Sequence, residues 1–416
     1  MRQKGDFISK KQTNEVKEEE VISICKKKAD FTIRIRMIVS VLLFLLSVGL
    51  MTAASRQPEF AQWYSVHIYP FLVATLGRVS GWLPFSVSEL GIYILLLAFI
   101  VTLARMIWKV TRVRKDHRPA SERETDAGKS GTAAYTPQTS QTLIAAWLSG
   151  VLLAAGILVF LYVVCCGINY HRRAFSEEEG IVTYKYSTDE LQEICLWLTD
   201  EINARADKVS RDADGVMEID SPVQTGAVEA MLRLAEDFPS LSGYYPKPKE
   251  LMISEVLSYQ GLTGIYLPFT VEANYNSDMT AYNKPFTACH ELSHLRGFMR
   301  EQEANFIAFL ACISSEREDF QYSGYLSGWV YCMNVLYRTD YEGWQEIRIL
   351  LDEDAEPDLT ANDAFWDSHE GMISETSERI NDTYLRVNGQ ADGVQSYDRM
   401  VDLIAAYFGE TPQIEK

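Results

Sequence analysis

The sequence predicts three N-terminal transmembrane helices followed by a mainly helical domain with a small sheet, an α+β arrangement. Three observations support this fold class: three long apolar runs, a reversal of charge after residue 170, and helical spacing of apolar residues from residue 171 onward. With 416 residues, the chain is long enough for two or three domains and a large buried core.

The apolar runs cover residues 37–54, 90–107 and 143–166. Each has close to the ~20 residues that a helix needs to cross a ~30 Å hydrocarbon core. Arg105, near the end of the second run, can extend its charge to the interface. Two alternatives are buried helices of a soluble protein and, for the first run, a cleavable signal peptide ending near TAAS. The long polar leader, residues 1–36, favours an uncleaved anchor.

The distribution of Lys and Arg predicts the orientation of these spans. Basic residues precede the first span and follow the second, whereas the loop at 56–89 contains only Arg56 and Arg78. The positive-inside rule then places the N-terminus and the connector at 109–141 in the cytoplasm, and residues 171–416 outside. The connector is rich in Ser, Thr, Gly, Ala and Pro and is expected to be disordered. The aromatic loop at 56–89 is expected to lie in the membrane interface.

Charge divides the chain into two parts with different expected partners. Residues 1–170 contain 20 Lys+Arg and 12 Asp+Glu, whereas residues 171–416 contain 19 Lys+Arg and 45 Asp+Glu. The basic, apolar part suits a lipid bilayer, and the acidic part argues against nucleic acid as a partner. The seven cysteines form no CxxC pair and indicate no disulfide framework. Their spacing leaves Cys289–Cys312 and Cys312–Cys332 bridges open.

The region after residue 171 has mainly helical patterns and one strand-like stretch. The segment TDELQEICLWLTDEINARA predicts a helix over 188–206, capped by Ser187 or Thr188. Further helices are predicted from PVQTGAVEAMLRLAEDF, YLSGWVYCMNVLY, HEGMISETSERINDTYLRV and SYDRMVDLIAAYFG. The β-branched and aromatic residues of GLTGIYLPFTVEANYN predict a strand or hairpin just upstream of a histidine pair.

That pair belongs to the segment CHELSHLRGFMREQEANF. On a helix, His290 and His294 are separated by about 40° of azimuth, so both imidazoles project from one face about 6 Å apart. This spacing suits two ligands of a zinc ion, and Glu291 is then placed as a general base on a water activated by the metal. The apolar neighbours predict a mostly buried helix, which argues against a solvent-exposed polar stripe. The alternative to a metal site is a helix whose His and Glu side chains form internal hydrogen bonds.

A catalytic zinc site requires a third protein ligand. On a straight helix Glu301 would lie roughly 16 Å from His290, too far for a shared ion. Gly297 can adopt a left-handed conformation that ends the first helix and folds the next one back. Glu301 would then face the metal, with Asn305 as a hydrogen-bonding partner of a ligand. Glu303 is the alternative ligand, and because it lies about 200° from Glu301 on the helix, only one of them can face the ion.

Four further residues are weaker candidates for the same site. Within PFTVEANYN, an edge strand expected to line a cleft, Glu272 and Asn274 are candidates for substrate contacts, for a second ion or for closing a turn. Tyr397 and Arg399 are candidates for stabilising a transition state, with a structural role as the alternative.

The sequence resembles a family of uncharacterised bacterial membrane proteins, classed as a domain of unknown function, with a zincin-like C-terminal region. The matching stretches are LPFSVSEL, SYQGLTGIYLPFTVEANYN, CHELSHLRGFMREQEANFIAFLAC and NDTYLRVNGQADGVQSYDRMVDLIAAY. The site is also similar to that of gluzincin peptidases, in which a Glu and an acidic residue four positions later complete the HExxH site. Glu301 and Asn305 stand at those positions, with a shorter gap after His294 and with Asn in place of Asp.

Together these observations predict a zincin-like zinc metallopeptidase anchored in a bacterial cytoplasmic membrane, with its domain outside. One Zn²⁺ would be held by His290, His294 and Glu301, and the substrate would be a peptide or protein of the cell envelope. The competing hypothesis is a non-enzymatic envelope sensor or assembly protein with a structural or vestigial metal site. The intact Glu291 favours the enzyme, because a structural site does not need a base there.

Overall fold

The computed structural model of the chain describes the backbone of residues 2–116, 139–390, 393 and 399–409. Side chains are described for these residues except 2–23, 25, 26, 114–116 and 409. The chain forms two compact units: Met1–Gly49 with Gly91–Phe160, and Leu50–Leu90 with Leu161–Lys416.

Helices account for most of the described residues. In chain order they are α1 (Arg2–Arg56), α2 (Pro58–His67), α3 (Tyr69–Leu72), α4 (Arg78–Gly81), α5 (Val87–Asp116), α6 (Ser140–Cys165), α7 (Phe175–Glu178), α8 (Thr188–Ala206), α9 (Val223–Asp237), α10 (Ser254–Gln260), α11 (Asn283–Leu295), α12 (Glu301–Ile313), α13 (Glu318–Thr339), α14 (Tyr341–Arg348), α15 (Glu356–His369), α16 (Met372–Val387) and α17 (Met400–Gly409). The strands are β1 (Lys249–Glu250), β2 (Gly264–Leu267) and β3 (Glu272–Tyr275). Short π or 3₁₀ turns cover Val73–Gly77, Gly167–His171, Pro239–Leu241 and Glu353–Ala355.

Three helical stretches are long and apolar enough to cross a membrane: Lys27–Arg56, Val87–Val113 and Ser140–His171. They contain the three predicted runs and extend beyond them, because the helices continue through polar flanking residues. The three apolar helices are therefore confirmed, whereas their orientation remains a prediction. Helix α5 continues to Asp116, so the connector predicted to start at 109 is helical at first, and residues 117–138 lie outside the described residues.

Helix α8 illustrates how local sequence sets the elements of the second unit. Ser187 accepts a hydrogen bond from the Glu190 amide at 3.2 Å, and the Glu190 carboxylate accepts one from the Ser187 amide at 2.6 Å. This reciprocal capping box satisfies two amide groups at the start of the helix and confirms the predicted cap. The predicted apolar face is buried, and α8 packs against α13.

The sheet has the order β1-β3-β2, with β1 parallel and β2 antiparallel to β3. The β2–β3 hairpin pairs Gly264 with Tyr275 and Leu267 with Glu272, which confirms the predicted hairpin. Strand β3 is buried at every position. The prediction that PFTVEANYN forms an edge strand is wrong, because the two-residue strand β1 covers the far side of β3 and leaves β2 at the edge.

The segment between the first two apolar helices contributes to the core of the second unit. Tyr64, Tyr69 and Val73 are buried, whereas Trp63 and Trp82 are exposed. This segment was expected to be interfacial; the structure shows that one of its sides packs on protein, and the interfacial placement of the other side remains a prediction.

The six cysteines with described side chains are all buried free thiols. They include Cys289, Cys312 and Cys332, so neither of the bridges left open by the spacing is formed. Buried free cysteines of this kind act as small apolar side chains in the core.

Candidate metal centre

Helix α11 carries the HExxH pattern inside the protein. His290, Glu291 and His294 are buried, and the helix contacts α9, α12, α13, β2 and β3. The two imidazole rings lie 4.6 Å apart, centroid to centroid, with their planes nearly perpendicular. The sequence prediction of a buried rather than solvent-facing pair therefore agrees with the structure.

A left-handed glycine ends this helix and redirects the chain. Gly297 has a φ of +90°, its amide donates to the His294 carbonyl at 2.8 Å, and the Phe298 amide donates to the Ser293 carbonyl at 3.2 Å. This pair of bonds is a Schellman motif, which requires a left-handed residue at the position of Gly297. The chain then enters α12 at Glu301, and α12 packs against α11.

The turn brings Glu301 to the two histidines. One carboxylate oxygen, Oε2, lies 3.3 Å from His290 Nε2 and 3.6 Å from His294 Nε2. One ligand atom from each of the three residues lies within 4.8 Å of the others. Three side chains from two helices thus converge on one point, as the helix reversal at Gly297 predicts.

The chemistry of this group fits a zinc ion. Two imidazole nitrogens and one carboxylate oxygen are the donor set of many catalytic zinc sites, which leave a further position for water or substrate. One buried polar atom at the site, Glu291 Oε2, has no hydrogen-bond partner among the described residues. Unpartnered buried polar atoms are rare in proteins, and a bound ion or water is one way to satisfy them.

Burial and mutual proximity shift the pKa values of the four ionisable groups at the site in different directions. Burial, and next the neighbouring His294, lower the pKa of His290. Burial also acts to lower the pKa of His294, but the Glu301 carboxylate outweighs it and raises that pKa to about 9. Burial acts to raise the pKa of Glu301, yet the two histidines hold it well below its usual range. For Glu291, burial dominates and raises the pKa to about 8.

Neighbouring groups fix the orientation of both imidazoles. His294 Nδ1 lies 2.9 Å from the Phe298 carbonyl and can donate to it, which directs Nε2 at the site and, in the neutral imidazole, makes Nε2 the nitrogen free to bind a metal. Asn305 lies one turn after Glu301 and close enough to His290 to raise the pKa of that imidazole. The Asn305 amide also donates to the Tyr331 hydroxyl at 3.3 Å. Asn305 thus lies where a ligand-orienting residue was predicted.

A tyrosine from the segment between the first two apolar helices supports the end of α11. The Tyr69 hydroxyl donates to the Leu295 carbonyl at 3.0 Å and lies 2.8 Å from the Tyr266 hydroxyl of β2. Because Tyr69 is fully buried, these bonds tie the helix end to the edge strand within the second unit. Such a link restricts the position of His294, which immediately precedes Leu295.

Glu291 fits against a glycine of the edge strand. A Cβ atom on Gly264 would lie 2.5 Å from Glu291 Oε1 and 2.8 Å from Thr287 Cγ2, closer than side chains approach each other. An isolated glycine in a strand often marks a close approach of this kind. Gly264 therefore provides the space that the Glu291 carboxylate occupies.

The structure distinguishes Glu301 from the alternative Glu303. The Glu303 carboxylate accepts hydrogen bonds from the Ser176 amide and the Ser176 hydroxyl, both at 2.9 Å. Both Glu303 carboxylate oxygens therefore accept hydrogen bonds at the start of α7, on a different side of α12 from the histidines. Burial raises the pKa of Glu303, against the effect of these bonds.

Glu272 and Asn274 have structural contacts instead of the predicted cleft contacts. The Glu272 carboxylate pairs with Lys249 and accepts hydrogen bonds from the amides of Val87 and Ser88 at 3.1 and 2.8 Å. The Asn274 amide donates to the carbonyls of Ile265 and Glu272. These contacts follow from the central position of β3, which directs both side chains into the protein.

The two remaining candidates are not brought to the metal ligands by the described structure. Tyr397 lies outside the described residues. Arg399 is exposed at the start of α17, where its charge lowers the pKa of Asp402 against the larger effect of burial. A transition-state role for Arg399 has no support from these contacts.

Two residues that contribute to the site, Tyr69 and Gly264, were absent from the sequence predictions, as was Ser176, which binds the alternative Glu303 elsewhere. The glycine could have been found, since it begins a strand whose other residues are large and apolar. Tyr69 and Ser176 are distant in sequence and have no local pattern that indicates their partners.

Comparison with known proteins gives a family but no characterised relative. Residues 64–405 match the family described as "Protein of unknown function (DUF3810)". No curated protein and no solved structure matches the chain. The matched region starts before the second apolar helix and includes both α11 and α12. Because it covers well over half of the sequence, the chain belongs to the DUF3810 family of proteins of unknown function.

Proposed function

We propose that the protein is a membrane-anchored zinc metallopeptidase with a zincin-like domain, acting on peptides or proteins outside a bacterial cytoplasmic membrane. One observation carries this proposal: His290 Nε2, His294 Nε2 and Glu301 Oε2 converge beside the Glu291 carboxylate. His290, His294 and Glu301 would hold one Zn²⁺. When bound, the ion supplies Lewis-acid activation of water and of the scissile carbonyl.

Glu291 is the residue that moves protons in this proposal. It follows the first histidine on α11, and its Oε2 has no hydrogen-bond partner among the described residues. Burial raises the pKa of Glu291 above that of an ordinary carboxyl, and a cation bound beside it would act in the opposite direction and favour the ionised form that a base requires. Glu291 takes a proton from water and delivers it to the leaving amine.

Strand β2 offers a place for an extended substrate. It is one of the two edge strands of the sheet in the described residues, it contacts α11, and Gly264 at its start lies against Glu291. A peptide that pairs with an edge strand is held by main-chain hydrogen bonds. A substrate bound along β2 would thus pass the carboxylate of Glu291.

The burial of the site favours a second candidate, a non-enzymatic envelope sensor or assembly protein with a structural metal. Only 9–11% of the side-chain surface of His290, His294 and Glu301 is accessible to solvent. A closed site of this kind suits a structural ion as well as a catalytic one. Glu291 distinguishes the two, because a structural ion needs no base.

Zinc content and peptidase activity of the purified full chain in detergent test the proposal. We expect one zinc per chain, and we expect Glu291→Gln to lower turnover of a broad peptide library by about 10²–10⁴-fold while zinc is retained. Glu375→Gln, on the exposed face of α16, is the control and should behave as wild type. Stoichiometric zinc with no difference between wild type and Glu291→Gln would favour the sensor, and absence of zinc would contradict both.

A further inference from the structure

A polar cleft of about 300 Å³ lies in the second unit, apart from the candidate metal ligands. Its walls come from Ala54 and Ser55 near the end of the first apolar helix, His171–Arg173 after the third, Arg300, and Asn388–Gln390 after α16. The candidate membrane spans end at Arg56 and His171. The cleft therefore lies at the C-terminal ends of two candidate membrane spans.

The cleft concentrates positive charge in a region that is otherwise acidic. Arg172, Arg173 and Arg300 line it with a single carboxylate, Glu177. Arg172 is neutralised by Glu178 at 2.7 Å, and Arg300 is 3.9 Å from Glu177. Arg173 is exposed and forms no ion pair within the described part of the chain. Because residues 171–416 carry 45 acidic and only 19 basic side chains, this charge is not a general property of the surface.

Gln390 links the cleft wall to the start of α12. It is 7% exposed, and its Oε1 accepts a hydrogen bond from the Glu301 amide at 3.3 Å. Arg300 is adjacent in sequence to Glu301, and its guanidinium is 3.9 Å from its nearest carboxylate, Glu177. The cleft thus presents to an anion one arginine without an ion pair in the described part of the chain, Arg173, and a second, Arg300, with a long one.

An exposed apolar face leads along α16 to the same cleft. Met372, Ile373, Ile380 and Val387 are 83%, 60%, 65% and 79% exposed. At 100° per residue these four positions fall within an arc of about 100° on one side of the helix. Val387 immediately precedes Asn388 in the cleft wall. A helix face of this kind is typical of contact with the acyl region of a membrane.

We propose that the cleft binds the phosphate of an anionic phospholipid headgroup, with the acyl chains along the exposed face of α16. Arg173 and Arg300 supply the cations that a phosphate diester requires. The apolar face and the location at two span ends favour a lipid over free phosphate, which shares the same headgroup chemistry. This inference does not depend on a metal or on peptidase activity.

Calorimetric titration of the full chain in neutral detergent tests it with four probes: short-chain phosphatidylglycerol, short-chain phosphatidylcholine, glycerol phosphate and inorganic phosphate. We expect phosphatidylglycerol to bind more tightly than the other three. Arg173→Gln should weaken its binding about fivefold, and Arg173→Gln/Arg300→Gln by about the square of that factor. Arg233→Gln, at a half-exposed arginine of α9, is the control for loss of charge and should bind as wild type.

Three results would overturn the proposal. Equal affinities for phosphatidylglycerol and phosphatidylcholine would show that the charge of the headgroup is not recognised. Equal binding of inorganic phosphate and phosphatidylglycerol would assign the cleft to a free anion. Wild-type binding by the double variant, or by Arg173→Gln with an unchanged thermal melt, would place the lipid elsewhere.

Discussion

Two buried charged clusters lie in the second unit, and they differ in how their polar atoms are satisfied. In the first, the Glu272 carboxylate receives hydrogen bonds from Lys249, Val87, Ser88 and Thr270. Lys249 donates in addition to the carbonyls of Ser80 and Phe85 at 2.7 and 2.9 Å. The protein itself therefore completes this cluster.

In the second cluster, His290, Glu291, His294 and Glu301 are buried to a similar extent, but protein groups do not complete it. Glu291 Oε2 has no partner among the described residues, and one candidate ligand atom from each of His290, His294 and Glu301 lies within 4.8 Å of the other two. Buried charges are costly without partners, so the two clusters should respond differently to substitution. The first should govern folding, and the second should govern metal binding and catalysis.

Breaking the Lys249–Glu272 pair should have the largest effect on stability. Lys249→Met leaves the Glu272 carboxylate buried without its cation and should lower the free energy of unfolding by about 3–5 kcal/mol. Chemical unfolding of the full chain in detergent measures this loss. Lys249→Met/Glu272→Gln, which removes both charges, should recover part of it. A loss below about 1 kcal/mol, which is typical of an exposed ion pair, would show that the cluster contributes little to the stability of the fold.

Removing the carboxylate of Glu301 should act on metal affinity instead. Glu301→Gln is expected to weaken zinc binding more than about 100-fold, since loss of a ligand should exceed the 10- to 100-fold effect of losing a group that orients one. Competition with a zinc chelator measures the affinity. Glu303→Gln is the matched control on the same helix and should retain zinc, because its carboxylate contacts Ser176. Equal losses in the two variants would contradict the assignment of the third ligand.

Crowding Glu291 should separate catalysis from metal binding. Gly264→Ala places a Cβ against Glu291 and Thr287 and should displace the carboxylate. We expect peptide turnover to fall about tenfold or more, because small misplacements of a catalytic group are costly. Zinc content measured on the same samples should stay at the wild-type level. Unchanged turnover would show that Glu291 does not need its observed position.

Disturbing the chain reversal at Gly297 should lower both the stability of the protein and its zinc affinity, by smaller amounts. Gly297→Ala forces a side chain into the left-handed region and should cost about 1–2 kcal/mol of stability. Because the turn positions Glu301, zinc affinity should fall as well. Gly180→Ala imposes a similar backbone cost at a φ of +71° in open space and should leave zinc affinity unchanged. Thermal melts with chelator competition test both variants, and equal zinc affinities for the two would contradict a positioning role for the turn.

Local sequence patterns predicted α11 and α12, the two helices that carry the candidate metal ligands. The four-residue spacing of His290 and His294 determines that both project from one helix face, and only a glycine readily takes the left-handed turn found at Gly297. Ser187 likewise caps α8 through a contact with a residue three positions away. These features depend on near neighbours in the chain, so periodicity and backbone preference suffice to predict them.

Contacts between distant segments were not predictable in the same way. The position of Glu272 depends on strand β1, which has only two residues and no recognisable pattern of its own. The partner of Glu303, Ser176, precedes it by 127 positions, and Tyr69 reaches Leu295 across 226. The sequence therefore left Glu301 and Glu303 as alternatives, and their different partners in the folded chain separate them.

X-ray absorption at the zinc edge of the purified full chain tests the central claim most directly. We predict one zinc per chain with a first shell of nitrogen and oxygen at about 2.0–2.2 Å and outer-shell scattering from two imidazoles. Absence of zinc would contradict the claim. A sulfur shell at about 2.3 Å, which would assign the ion to cysteines instead of His290, His294 and Glu301, would contradict it equally.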